Sequence, residues 1–74
     1  MSEKAFNYDI KKHIATLSQT EDGRYTTEVN LISYNGAKAK LDIRKWDRGS
    51  DKMLKGIALS DEEAEALKLS LQAI

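Results

Sequence analysis

Seventy-four residues suffice for one small domain, and 41% apolar with 32% charged residues describes a folded core under a heavily charged surface rather than a disordered segment. Twelve Lys and Arg balance twelve Asp and Glu, so whole-chain charge names no partner. The lack of cysteine excludes disulfide frameworks, thiolate metal sites and cysteine nucleophiles, and the apolar runs fall far short of the roughly 18 residues that a membrane span needs. The start, Met1-Ser2-Glu3-Lys4, carries no signal-peptide pattern, which leads us to expect a cytoplasmic, or nucleoid-associated, protein with no membrane partner. A core of this size contributes only about 3–5 kcal/mol without a disulfide or metal, and self-association is the remaining route to stability.

Hydrophobic period and turn residues divide the chain into four strands and a helix, read as one domain over residues 1–74. The first strand, Phe6 to Leu17, alternates through Phe6, Tyr8 and Ile10, then blurs at Ile14-Ala15-Thr16-Leu17. Asp22-Gly23 predicts a tight hairpin into a second strand, Arg24 to Tyr34, which is rich in Thr, Val, Ile and Tyr and closes on Asn35-Gly36, the strongest hairpin signal present. The third strand, Lys38 to Trp46, alternates cleanly: Ala39, Leu41 and Ile43 form a packing face, while Lys38, Lys40, Asp42, Arg44 and Trp46 face solvent or ligand. After the polar turn Asp47 to Asp51, a fourth strand spans Met53 to Leu59, and Gly56 in its middle suggests a bulge or a close backbone approach. Ser60-Asp61-Glu62-Glu63 is a capping box that opens a helix running to the C-terminus. Its stripe Ala64, Leu67, Leu71 and Ile74 should cover the apolar sheet face, while Ala66, Leu69 and Ala73 lie opposite and offer a surface for a second copy.

Splitting the charge reveals what the total hides. Residues 38–56 carry seven cations and three anions, whereas residues 57–74 carry one cation and four anions. Lys38, Lys40, Arg44, Arg48, Lys52 and Lys55 form a basic band beside Trp46 and Tyr34. Cations interleaved with aromatics suit single-stranded nucleic acid, whose phosphates need positive charge and whose unpaired bases need flat π surfaces. The same lysines also serve as ordinary solubilising and edge-protecting residues, and either aromatic can belong to the core. Catalysis finds little: His13 has no HxH or HExxH companion, the Asp47 to Asp51 turn lacks calcium-loop spacing, and no Gly-rich phosphate loop occurs. No catalytic residue, metal, cofactor or small-molecule substrate is expected.

The run Leu41-Asp42-Ile43-Arg44-Lys45-Trp46, followed after a polar loop by Lys55-Gly56-Ile57-Ala58-Leu59-Ser60 and an acidic helix start, resembles the positive cofactor four family of transcriptional coactivators. Extended back through Asn30 to Gly36, it looks closest to compact bacterial members of the YdbC type, with the likeness covering residues 24 to 74. The resemblance implies a curved four-stranded antiparallel sheet followed by one C-terminal helix, of the α+β class. It also implies a homodimer formed through that helix, binding single-stranded DNA with little sequence preference. It assigns nucleic-acid contacts to Tyr34, Lys38, Lys40, Arg44, Trp46 and Lys55; the basic band adds Arg48 and Lys52 as expected loop contacts, and Ala66, Leu69 and Ala73 fit the dimer surface. The serine- and lysine-rich N-terminal region of the eukaryotic coactivator is missing, so that region's interactions do not transfer. Two alternatives stand beside this reading: a module for single-stranded RNA, and a protein-interaction dimer whose basic face meets an acidic protein.

Overall fold

The computed structural model describes residues 7–74. In chain order they form β1 (Tyr8–Gln19), β2 (Tyr25–Tyr34), β3 (Lys40–Asp47), β4 (Lys52–Leu59) and α1 (Asp61–Leu71). The strands make one antiparallel sheet in the order β1-β2-β3-β4, the α+β arrangement expected. Phe6, expected to begin the first strand, lies outside the described residues.

The turns follow the local chemistry with one exception. Asn35 and Gly36 both take positive φ, 52° and 79°, and the Ala37 amide donates to the Tyr34 carbonyl at 3.0 Å, which is the two-residue hairpin whose twist matches its strands. At the first hairpin only Gly23 has positive φ. The Thr20 amide donates to the Tyr25 carbonyl and the Gly23 amide to the Thr20 carbonyl, so this turn is wider than the expected two-residue hairpin. Asp22 explains the difference, because its carboxylate accepts from the Thr20 hydroxyl and the Arg24 amide and so stabilises the longer loop.

Strong coiling of the sheet decides what is inside. Tyr8 pairs with Tyr34 and Trp46 with Thr26, and on a flat sheet eight residues of β2 would hold those positions roughly 26 Å apart. The Tyr8 and Trp46 rings nevertheless stand 5.9 Å apart. Right-handed strand twist rolls opposite corners of one face together, and β1 bends with it through register shifts at Ile10/Lys12, His13/Ala15 and Thr16/Ser18. Each shift inserts one extra β1 residue, Lys11, Ile14 and Leu17 in turn. That three-residue rhythm is why the alternation blurs in the sequence.

The rolled-in face carries Thr26, Glu28, Asn30 and Ile32 from β2 with Asp42 and Trp46 from β3, all buried. Across the sheet, Val29, Leu31, Leu41 and Ile43 are only half-buried, and Ile57 is exposed. The expectation that Leu41 and Ile43 pack while Asp42 and Trp46 meet solvent is therefore reversed. Alternation was read correctly, but concavity buries the face with the polar residues.

Helix α1 begins as its cap dictates: the Ser60 hydroxyl accepts from the Glu63 amide at 3.1 Å, and the Glu63 carboxylate accepts from the Ser60 amide at 2.9 Å. It packs against β3 and β4, yet none of its residues is buried. Ala64, Leu67 and Leu71 line one wall of an open apolar groove of about 810 Å³ whose other wall is Ile14, Leu17, Val29, Leu41 and Ile43. The helix ends at Leu71 with Gln72 as its C-cap, so Ile74, placed on the covering stripe by period, is instead almost fully exposed. Among the described residues no helix is long and apolar enough to cross a membrane.

Candidate nucleic-acid interface

Two charged networks occupy the concave face, and β3 and β4 also carry exposed lysines. The first network is centred on Asp42, which is fully buried. Its carboxylate accepts from Arg44 Nε at 2.6 Å and Nη2 at 2.8 Å, and also from the Tyr34 hydroxyl. Arg44 Nη2 donates in turn to the Tyr34 oxygen at 3.0 Å, and Nη1 donates to the Leu54 carbonyl at 3.0 Å. Four of the five guanidinium hydrogens are thus engaged inside the protein. Burial, then the Asp42 hydrogen bond and charge, push the Tyr34 phenol up to about 12, and Asp42 raises the pKa of Arg44 further.

Gly56 completes this corner. A Cβ at Gly56 would stand 1.8 Å from the Arg44 Cβ and 2.6 Å from its Cα, so β4 can cross Arg44 only where the chain has no side chain. The close approach anticipated from the sequence is present, next to a register shift between Arg44 and Trp46.

The second network is centred on Glu28, 4% exposed. It accepts from Arg48 Nε at 2.9 Å and Nη2 at 2.6 Å, and from the Thr26 hydroxyl at 2.5 Å. Arg48 holds the Glu28 carboxyl down at about 2, with support from Thr26 and Asn30. The Arg48 guanidinium lies 4.4 Å over the Trp46 ring, a cation–π contact, and also reaches Asp51 at 3.0 Å. His13 of β1 joins at the rim, its Nδ1 2.6 Å from the Asn30 side-chain oxygen.

Trp46 departs from expectation. It is fully buried between Tyr8 and Arg48 and presents no ring face on which a base could stack. The reason is the coiling of the sheet, which converts an outward alternation position into an interior one. Arg48, expected as a loop contact, is likewise turned inward to Glu28.

The remaining expected cations separate into two groups. Lys38 reaches Asp61 at 2.5 Å, with both side chains largely in solvent. Lys40, Lys52 and Lys55 are exposed and make no ion pair among the described residues. Lys45, passed over in the sequence, is exposed and donates to the Thr27 hydroxyl at 3.3 Å. The interior acceptors Glu28 and Asn30 were also passed over, although Thr26, Glu28 and Asn30 alternate with Val29 and Leu31. That polar period of two in a strand was their signal.

The sequence motifs around Asp42 and Gly56 thus encode a buried clamp of Asp42, Arg44 and Tyr34. Residues 24–70 match the family model described as Transcriptional Coactivator p15 (PC4). The chain belongs to the PC4 family. PC4 domains are nucleic-acid-binding and non-enzymatic, with single-stranded DNA as their ligand. A protein of Treponema pallidum (strain Nichols), described as uncharacterized, is similar to the chain: it is 38% identical over 63 residues, covering 85% of this chain and 73% of that protein. The PC4 match contains Asp42, Arg44, Glu28 and Arg48 together with Lys40, Lys45, Lys52 and Lys55 of β3 and β4.

Proposed function

We propose that this PC4-family chain binds single-stranded DNA, in preference to RNA and with little sequence preference, as a homodimer without catalytic activity. The observation that carries the reading is the separation of charges along β3, β4 and the turn between them. Arg44 and Arg48 are neutralised internally by Asp42 and Glu28, while Lys40, Lys52 and Lys55 remain exposed without an acidic partner among the described residues. These lysines supply the positive track that phosphates require, with Lys38 at its end and the half-buried Tyr34 as the aromatic beside it. Trp46 supports the sheet from inside and takes no base.

The homodimer reading is supported by the open groove. A second copy covers Leu67, Leu71, Ile14 and Ile43 and extends to Ala66, Leu69 and Ala73 on the outer side of α1. Isologous pairing of two identical apolar surfaces satisfies both copies at once. The protein serves the handling of exposed single strands in the cytoplasm, including transcription regulation.

Binding of a labelled oligothymidine of about twenty nucleotides, measured by anisotropy against a matched duplex and a matched RNA at low and moderate salt, tests the reading. Tighter binding to the single DNA strand, weakening linearly in log affinity with log salt, is expected. Absence of binding at both salts overturns it and favours a protein-interaction dimer.

A further inference from the structure

We propose that the chain has a second contact surface for the single strand, on the convex side of the sheet, where Tyr25 stacks on a base and Lys45 and Lys52 hold phosphates. The proposal rests on the single-strand-binding reading given above and extends it to the side opposite Lys40 and Arg44. Pairing register decides which residues share that side. Tyr25 pairs with Asp47 and Asp47 with Lys52, so these three form one row across β2, β3 and β4. In the next row Thr27 pairs with Lys45, and Lys55 falls on the same side because its neighbour Gly56 pairs with Arg44.

The row presents an aromatic ring among cations. Tyr25 is 41% exposed, and the Arg24 guanidinium backs its ring at 5.2 Å from the centroid. Arg24 is itself fixed: Nε and Nη2 each donate to the Asp47 carboxylate at 3.1 Å, which also accepts from the Gly49 and Ser50 amides at 3.0 and 3.3 Å. Gly49 leaves the Arg24 side chain its room, since a Cβ there would stand 3.2 Å from the Arg24 Cγ. Asp47 is thereby engaged by Arg24 and the turn, and it leaves Lys52 in the same row uncompensated. Lys45, Lys52 and Lys55 are exposed and make no ion pair among the described residues. A tyrosine platform flanked by lysines suits an unpaired strand, whose bases stack and whose phosphates need positive charge. A duplex keeps its base faces inside and cannot use Tyr25 in this way.

Oligothymidine binding, followed by anisotropy over a salt series, tests the surface. Tyr25→Ala should weaken binding about tenfold, the loss of one stacked base, at unchanged slope of log affinity against log salt. Tyr25→Phe, which keeps the ring, should recover most of that loss. Lys45→Ala and Lys52→Ala should each lower the slope by about 0.7, the contribution of one phosphate contact to single-strand binding. Near-ultraviolet circular dichroism of the buried Trp46 reports whether each variant is folded, and sedimentation reports its oligomeric state.

Wild-type affinity in Tyr25→Ala, or an unchanged slope in both lysine variants, overturns the proposal. Loss of the dimer in folded Tyr25→Ala or Lys45→Ala overturns it as well, and assigns this side to the second copy. If Lys40→Ala still lowers the slope in either event, the single-strand reading stands without the second surface. No binding by the wild-type chain removes that reading and the proposal together.

Discussion

The two faces of the sheet divide their chemistry in an order opposite to the usual one. The concave face is rich in charge and closed: Glu28, Asn30 and Asp42 are buried there and each has hydrogen-bond partners. The convex face is apolar and open, with Val29, Leu41 and Ile43 half-exposed beside a helix that buries none of its residues. Burial of polar groups is tolerable only when they are paired, and the concave face meets that condition for its carboxylates through two arginines, while the Trp46 indole N–H is buried there without a partner among the described residues. Apolar surface left in water has no comparable remedy within one chain. The closed face sets the shape of the single chain, and the open face is the surface on which we propose that a second copy sits.

Substituting Trp46 tests this division most severely. If the concave face is the core, Trp46→Ala should destabilise the chain by about 3–5 kcal/mol, read as a shift of the denaturant midpoint. It also removes the ring on which the Arg48 guanidinium rests. A loss below about 1 kcal/mol would mean that the tryptophan is not a core residue, and the contrast between the faces would collapse.

Acid should weaken the same face next. The Glu28 carboxyl is held at about 2 by Arg48, from an ordinary value of 4.5. Its folded-state value is depressed, so its stabilisation is fully present above the unfolded value and is lost as pH falls toward 2. That difference corresponds to about 3 kcal/mol. Unfolding free energy measured between pH 5 and pH 2 should fall by this order, and Glu28→Gln should start lower and vary less across that interval. An equally steep decline in the variant would locate the acid sensitivity elsewhere, with Asp47 next in line because Arg24 also holds its carboxyl at about 2.

Much of this architecture is legible in the residues, and the failures share a cause. Asn35-Gly36, the Ser60 capping box and the clean alternation of β3 act locally, so the sequence predicts their geometry directly. Gly56 is also legible, as a site of close approach, although its partner Arg44 is not. Trp46 and Arg44 are expected to face outward because alternation tells which residues share a face but not which face becomes concave. That decision comes from sheet coiling over all four strands and from the bulges at Lys11, Ile14 and Leu17. The membership of Lys40 and Lys55 in a basic band was visible from charge alone. Their freedom depends on Asp42 and Glu28 having chosen the arginines, which is a property of the fold.

The open face is tested by truncation at the groove. Leu67→Ala should weaken the dimer by about 2 kcal/mol, near thirty-fold in the dissociation constant, measured by sedimentation over a concentration series. Leu69→Ala, on the outer side of the helix, sharpens the result by showing how far the partner extends around α1. An unchanged dimer in both variants would place the interface away from the helix and leave the groove as a surface for something else.

The smallest expected effect concerns the pair Lys38 and Asp61, which lies at the edge of both faces. The two side chains meet at 2.5 Å but are 81% and 75% exposed, and ion pairs in that setting contribute little because water and salt screen them. Asp61→Asn should therefore move the thermal midpoint by less than about 3 °C. It should nonetheless affect binding, since Asp61 competes with phosphate for the Lys38 ammonium. Removing the carboxylate leaves Lys38 available to the strand, and affinity for oligothymidine at low salt should rise about two-fold, with the gain vanishing at moderate salt as screening takes over. Lys38→Met should show the opposite sign at the same salts. If Asp61→Asn leaves affinity unchanged at low salt while Lys40→Ala reduces it, the nucleic-acid track ends at Lys40, and Lys38 serves only to fasten the hairpin to the start of the helix.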